Sequence, residues 1–400
     1  MIPVEEALAR ILEAAPRTGR EWVPLASALG RVLAGDLRAL RRQPPVAVSA
    51  MDGFAVRASD ARAGALLRLV GESRAGAGYP GGIGPGETVR IFTGAPLPAG
   101  ADAVLIQEHA RMRAQAVEVC AEVEAGRYIR PAGLDFEEGW LGLAAGTVLD
   151  ARAVGLAAAM GHGWVPVRRR PRVALLATGD ELVWPGSTPG PAQIVSSNSL
   201  ALAAMVRGWG GEAWDLGIAP DRPEALADAL REARGADVVV TTGGASVGSY
   251  DFVREAAGGL GLALDFWKIA MRPGKPLIFG RLGGMLFLGL PGNPVSAAVC
   301  ALVFLRAVLR RSLGLDPALA TERARLAAPL PANDERRDYL RAFWRETDTG
   351  REVVPADRQD SSMFALFARA DALIVRPPHD PPRQPGERVE VVDLRRALAP

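Results

Sequence analysis

A multidomain α/β plus β architecture is what the sequence predicts, and three observations predict it. From about residue 172 to 315, apolar runs (VALLAT, AWDLGIA, DVVVTT, PLIFG, MLFLGL) alternate with helical stretches near 199–209, 221–233 and from Asn293 onward. Apolar runs of four to eight residues separated by helices are the pattern of a parallel sheet covered on both faces. From about 44 to 142 the composition turns to Gly, Pro and short β-type runs such as TVRIF, DAVLIQ and AVEVC, which reads as a β-rich insert. After about 320, short alternating runs (ARLAAPL, DYLRAFW, ALIVRP, RVEVVDL) between Pro, Gly and Asp clusters predict a small β domain that ends the chain.

The remaining elements are helical. Ala7, Leu8, Ile11 and Leu12 recur with helical spacing over 5–13, a second short helix is expected over 25–37, and an alanine-rich pattern returns over 149–160. The helices on either side of the insert are therefore expected to form one unit that the insert interrupts.

Composition narrows the function. The 400 residues carry 47 Lys plus Arg against 45 Asp plus Glu, so the net charge of +2 gives no reason to expect a nucleic-acid partner. The longest nearly apolar run, 295–305, is shorter than the roughly 20 residues a membrane helix needs, and no membrane role is expected. The first residues, MIPVEEALARILEA, have acids where a secretory signal has bases, and the two cysteines, Cys120 and Cys300, suggest neither a disulfide framework nor a thiolate metal site. The expected location is cytoplasmic. All but two of the cationic side chains are arginines, and the two lysines, Lys268 and Lys275, both fall in FWKIAMRPGKP. Their survival together suggests a site that needs compact ammonium groups.

In open α/β sheets ligands bind beyond the carboxyl ends of the strands, so the residues after each apolar run are the candidates. Thr178-Gly179-Asp180-Glu181 puts two carboxylates beside a glycine turn; this is either a binding site or acids favoured at a helix start. In Thr241 to Gly248 (TTGGASVG), Gly243, Gly244, Ser246 and Gly248 supply free amides and hydroxyls suited to a phosphate or oxyanion. Neither the GxxxxGK[ST] nor the GxGxxG order is present, which argues against ordinary ATPase and NAD chemistry. Asp251 then either holds a divalent ion or caps the next helix. At Pro291-Gly292-Asn293-Pro294, Asn293 reads as an N-cap and Pro294 as the first helical residue, while Lys268, Arg272 and Lys275 add cations to the same edge. Cations, glycine amides and carboxylates at one edge suit a phosphorylated, nucleotide-like ligand with Mg²⁺. Asp52 and Thr93 in the insert, and Asp135 in RPAGLDF, sit at turns and alone would be ordinary loop residues. His109, His162 and His379 are scattered without zinc spacing, and no GxSxG elbow supports serine hydrolysis.

Taken in order and spacing, SAMDGFAV, RIFTGAP, VALLATGDEL, TTGGASVGSYD, FWKIAMRPGKP and LPGNPVSA resemble the molybdopterin molybdenumtransferase (MoeA, gephyrin E-domain) family over almost the whole chain. The resemblance implies a helical domain from 1–42 and 143–168, a β-rich insert over 43–142, a molybdopterin-binding α/β domain over 169–318 and a small barrel-like β domain over 319–400. It also implies a cytoplasmic homodimer with a site shared between subunits, and an adenylyltransferase as a possible partner. The implied reaction is insertion of molybdate into adenylylated molybdopterin with Mg²⁺, giving AMP and molybdenum cofactor. Asp52, Glu181, Asp221, Asp251, Lys268 and Lys275 would be catalytic, with Asp52, Glu181 and Asp251 on the metal. Thr93, Asp135, Thr178, Gly179, Asp180, Asn198, Arg272, the Gly243–Gly248 loop, Pro291 to Pro294, Arg341 and Ser361 would hold the substrate. Arg272 stands where Lys is usual in the family, and Ser196 where Asp is frequent. The competing readings are a molybdopterin adenylyltransferase and a non-catalytic scaffold of the same fold.

Overall fold

The computed structural model describes residues 1–243, 250–348 and 350–398. Two compact units emerge, one formed by 1–21 with 168–400 and the other by 22–167.

In the larger unit the expected α/β domain is built on a six-stranded sheet in the order Glu212–Ala219, Arg172–Thr178, Val238–Thr242, Met285–Leu290, Pro276–Leu282, Leu262–Lys268. The first four strands are parallel and the fifth is antiparallel to both of its neighbours. Successive side chains of a strand face opposite sides, and both faces here are covered. Val173, Leu175, Val238, Val240 and Leu288 pack with Leu202 and Val206 of the helix Asn198–Gly208 and with Val299 of the helix that starts at Pro294. Ala174, Leu176, Val239 and Phe287 pack on the other side with Leu226 and Leu230 of the helix Pro223–Glu232 and with Val253 of Tyr250–Gly259. The four parallel strands consequently finish at one edge, at Thr178, Ala219, Thr242 and Leu290.

The C-terminal region is a closed five-stranded barrel. Its sheet runs Arg337–Thr347, Gly350–Pro355, Glu322–Leu326, Arg388–Asp393, Ala372–Arg376, and the last strand pairs back onto the first. Closure removes the unpaired edges that an open sheet of this size would expose. A two-residue strand, Met271–Arg272, joins this barrel by pairing in parallel with Arg337 and Asp338.

The N-terminal helix, Val4–Ala14, corrects one expectation. Its buried stripe (Val4, Ala7, Ile11) belongs to the same hydrophobic cluster as Val308 and Leu309 of the α/β domain, and not to the cluster around 149–160. An amphipathic stripe docks wherever apolar surface is offered, and spacing along the chain does not say where that is.

In the smaller unit, a six-stranded sheet has the order Ala103–Ile106, Gly53–Val56, Glu87–Ile91, Leu66–Ser73, Ala116–Val119, Ala110–Arg113. A second cluster joins Leu33, Leu37, Phe136, Leu149, Met160 and Val165, and the helix expected over 149–160 runs Ala151–Ala159 with Asp150 accepting from the Ala153 N–H at 2.8 Å. The helix expected over 25–37 is replaced by a three-residue 3-10 turn, Leu25–Ser27, and later the short strand Leu37–Arg38. Leu25, Ala28 and Val32 are buried at helix-like spacing, but Gly30 at φ +72° turns the chain out of a helical path.

Candidate active site

Beyond the carboxyl edge of the α/β sheet lies a cavity of about 790 Å³, within the range of small-molecule sites. Each parallel strand delivers its next residues to the wall. Thr178 ends Arg172–Thr178 and Glu181 follows it, Asp221 follows Glu212–Ala219, Thr242 ends Val238–Thr242 with Gly243 after it, and Pro291 to Pro294 follow Met285–Leu290. Gly243 sits at φ +101°, and a Cβ there would lie 2.1 Å from the Thr178 carbonyl oxygen, so only glycine lets these two turns touch.

The carboxylates are the site's most informative feature. Asp221 accepts nothing on its buried Oδ1, while its own backbone N–H donates to Asp180 at 3.2 Å. Burial first, and then the charges of Asp180 and Glu181, push the Asp221 carboxyl above its ordinary value. A carboxylate with an unsatisfied oxygen beside two other acids is a site short of positive charge. Thr178, only 1% exposed, likewise leaves its Oγ1 without a partner at the cavity wall.

Across the cavity, Asn198 Nδ2 donates to the Gly292 carbonyl at 2.8 Å, and Ser196, Ser197 and Asn198 bring the start of the helix Asn198–Gly208 to the wall. Asn293 does occupy the N-cap position with Pro294 next, but its side chain makes no capping bond. Its Nδ2 donates instead to Ser361 Oγ at 2.8 Å, and the Val295 N–H donates to the Ser361 carbonyl at 3.0 Å. These bonds hold a C-terminal loop against the cavity, and Ser362 of that loop lines it.

Two of the four expected cationic contacts, Arg341 and Arg272, are taken up by acceptors of the protein itself. Arg341 was expected to face the substrate, yet it is 2% exposed and donates to Gln359 Oε1 and to the carbonyls of Arg358 and Asp360. A guanidinium carries five donors, and here they shape the 356–361 loop from inside. Arg272 donates to Asp334 Oδ2 and Asn333 Oδ1, both at 3.0 Å, and to Asp338. Lys268 holds its ammonium 3.6 Å from the centre of the Trp267 ring. Lys275 is exposed next to Pro276, which lines the cavity, and among the described residues neither lysine is in an ion pair.

The smaller unit carries a second constellation. Gly53 pairs with Ile91 in antiparallel register, which brings Asp52, one residue before its strand, and Thr93, two after its own, to the same end. Asp52 Oδ1 accepts from the Thr93 N–H at 2.7 Å and from its hydroxyl at 2.8 Å. The backbone bond most, then the hydroxyl and the charge of Arg90, hold the Asp52 carboxyl below its ordinary value. Asp135 is exposed, with its backbone N–H donating to Gln43. Gly244, Ser246 and Gly248 lie outside the described residues, as does the side chain of Asp251. No group of three or more His, Cys, Asp or Glu arranged for a metal occurs among the described residues. Sequence reasoning did not single out Ser197 or Ser362 as wall residues, and it met Thr242 and Ser296 only as members of the TTGGASVG and LPGNPVS runs. Ser197 carried a signal, since it lies between an apolar pair and a helix start; Ser362 carried none, because a closed barrel's loops are brought to a site by tertiary packing alone.

The chain matches three family models end to end: the MoeA N-terminal region (domain I and II) over residues 2–161, the probable molybdopterin binding domain over 174–311, and the MoeA C-terminal region (domain IV) over 323–394. A Nostoc protein named molybdopterin molybdenumtransferase is 35% identical over 94% of this chain and 88% of its own. A Haemophilus influenzae protein of the same name is 33% identical over 94% of both chains. Among solved structures, a molybdopterin biosynthesis MoeA protein from Pyrococcus horikosii aligns with a TM-score of 0.86 at 31% identity, over 98% of this chain and 99% of that one. The chain is therefore a member of the MoeA family of molybdopterin molybdenumtransferases.

Proposed function

We propose that the protein inserts molybdate into adenylylated molybdopterin, releasing AMP and molybdenum cofactor, in an Mg²⁺-dependent transferase reaction of molybdenum cofactor biosynthesis. The observation that carries this reading is the Asp221 oxygen left without a partner beside Asp180 and Glu181, at the edge where four strands end. The chemistry of these oxygen donors suits a hard divalent cation, which takes oxygen ligands and compensates neighbouring carboxylates. Glu181 and Asp221 would hold Mg²⁺, with Asp251 and Asp52 completing the acidic set expected from the sequence. When bound, the ion supplies charge neutralisation at a phosphoanhydride.

The chain's own residues do the rest. The start of the helix Asn198–Gly208 and the Gly243 and Gly292 turns offer N–H groups to phosphate oxygens. Thr178 Oγ1 has a free donor for the same purpose. Lys268 and Lys275 supply the compact cations that a dianion such as molybdate needs, and they offset the charge that develops as the adenylyl phosphate is released. Asp52, held ionised by Thr93, and Asp135 belong to the insert, and we infer that they serve the same chemistry from a second subunit of a homodimer.

The β-rich insert over 43–142, the α/β domain over 169–318 and the C-terminal β domain over 319–400, the cytoplasmic location and an adenylyltransferase that hands over the substrate belong to this reading, with the helix Val4–Ala14 placed on the α/β domain. Among the described residues no helix is long and apolar enough to cross a membrane. The test is AMP release from adenylylated molybdopterin by the purified protein with Mg²⁺, with and without molybdate, beside ATP plus free molybdopterin. Molybdate-dependent AMP release is expected. ATP consumption would identify an adenylyltransferase instead, and silence in both assays would leave a binding role.

A further inference from the structure

The segment that carries both lysines is a hairpin gripped at its tip. Its neck is stitched to the α/β sheet, where Lys268 pairs with Pro276 and the Ile269 N–H donates to the Lys275 carbonyl at 3.0 Å. Its tip is stitched to the barrel, where Met271 and Arg272 pair with Arg337 and Asp338 and the Arg337 N–H donates to the Ala270 carbonyl at 2.9 Å. The tip residue Arg272 spreads one guanidinium over three barrel side chains, Asn333, Asp334 and Asp338. Those partners are themselves fixed. Asn333 Nδ2 donates to the carbonyls of Arg336 and Pro377 at 2.7 and 2.8 Å, Arg336 holds Asp334 at 2.6 Å, and Asp338 is 1% exposed.

Two consequences follow from charge and shape. Arg272 and Arg336 face Asp334 and Asp338, two cations against two anions, so the Arg272 charge is balanced locally and adds little attraction for a substrate anion. The three acceptors are met by a planar fork, which a lysine's point charge cannot reproduce. We propose that Arg272 is a positioning residue, through which Asn333, Asp334 and Asp338 of the barrel hold the hairpin tip and so fix where the Lys268 and Lys275 ammonium groups meet the anionic substrate. This rests on the molybdenumtransferase reading for its substrate, and on the structure alone for the clamp.

The experiment uses the full chain and two readouts. In molybdate-dependent AMP release, Arg272→Gln, Arg272→Lys and Asp338→Asn each lower kcat about 10- to 100-fold, because displacing a catalytic group by an ångström costs that much. The Arg272→Gln/Asp338→Asn double variant falls no further than either single one, because both remove the same clamp. In hydrogen exchange, the Ile269 and Arg337 amides exchange about tenfold faster in the same variants. A direct substrate-binding role for Arg272 gives the opposite pattern: Arg272→Lys keeps most activity, Asp338→Asn is harmless, losses in the double variant add, and exchange is unchanged. That pattern overturns the clamp. Should Asp338→Asn fail to fold, Asp334→Asn carries the same test. If the wild type releases no AMP while the exchange result holds, the functional reading fails and the clamp stands.

Discussion

Asp52 and Asp221 are the same side chain in two different settings, and their surroundings push them in opposite directions. Asp52, in the β-rich unit, has an oxygen met by two Thr93 donors and sits below its ordinary pKa. Asp221, at the sheet edge, has a buried oxygen met by nothing and two acidic neighbours, and sits above it. The fold has completed the first site and left the second unfinished. A carboxylate that the protein satisfies is an oriented anion, whereas one that it buries unsatisfied stores a demand for a cation.

The comparison breaks most visibly at Asp221. Asp221→Asn is expected to cut molybdate-dependent turnover about a hundredfold, the scale of losing one preorganised electrostatic group, while the variant melts no lower than the wild type at neutral pH. The sign follows from the raised pKa. The wild-type carboxyl contributes stability below its unfolded pKa, and that contribution is lost as pH rises through the higher folded one. The advantage of Asn should therefore grow from acid toward neutral pH in melting curves, and millimolar Mg²⁺ should raise the wild-type melting temperature but not that of the variant. A variant that melts well below the wild type would mean that Asp221 is already satisfied.

Next in size are two changes that strike the frame around the site. Gly243→Ala puts a Cβ against the Thr178 carbonyl at a φ that L-residues rarely adopt, and should cost about 3 kcal/mol in denaturant unfolding. Arg341→Ala removes the donors that hold the Gln359 amide and two loop carbonyls, and should cost about 2 kcal/mol. If Arg341 were a substrate contact and nothing more, unfolding would be unchanged and KM alone would rise.

That contrast between frame and contact marks how far the sequence could be read. The sheet edge was legible because strands buried on both faces must be apolar and end abruptly, so TGDE, TTGG and LPGNP announced their own position. Thr178, Glu181 and Asn293 were found this way, Asp221 and Asn198 only through the family resemblance, and all five line the cavity. Arg341 and Arg272 were read as substrate cations because sequence gives an arginine's charge but not which acceptors reach it first. In the structure, Gln359 with two loop carbonyls and Asp334 with Asp338 reach them. The docking of the Val4–Ala14 helix, the turn at Gly30, whose N–H donates to the Leu149 carbonyl, and the Asn293–Ser361 bond escaped for a related reason: each depends on a partner far along the chain.

The smallest expected effect sharpens the other half of the comparison. Thr93→Val keeps shape and the backbone N–H but removes the hydroxyl, which is the lesser of the two donors that lower the Asp52 carboxyl. The Asp52 pKa should therefore rise only part of the way to its ordinary value, as read by NMR titration of its carboxyl carbon. The sign for stability is opposite to that of Asp221: a lowered carboxyl contributes above its unfolded pKa, and the contribution is lost as pH falls through the folded one. Thr93→Val should accordingly lose a little stability at neutral pH and none once the pH has dropped below both pKa values. An unmoved Asp52 titration would show that the backbone amide alone holds the charge, leaving the Thr93 hydroxyl free to face a substrate rather than to orient the acid beside it.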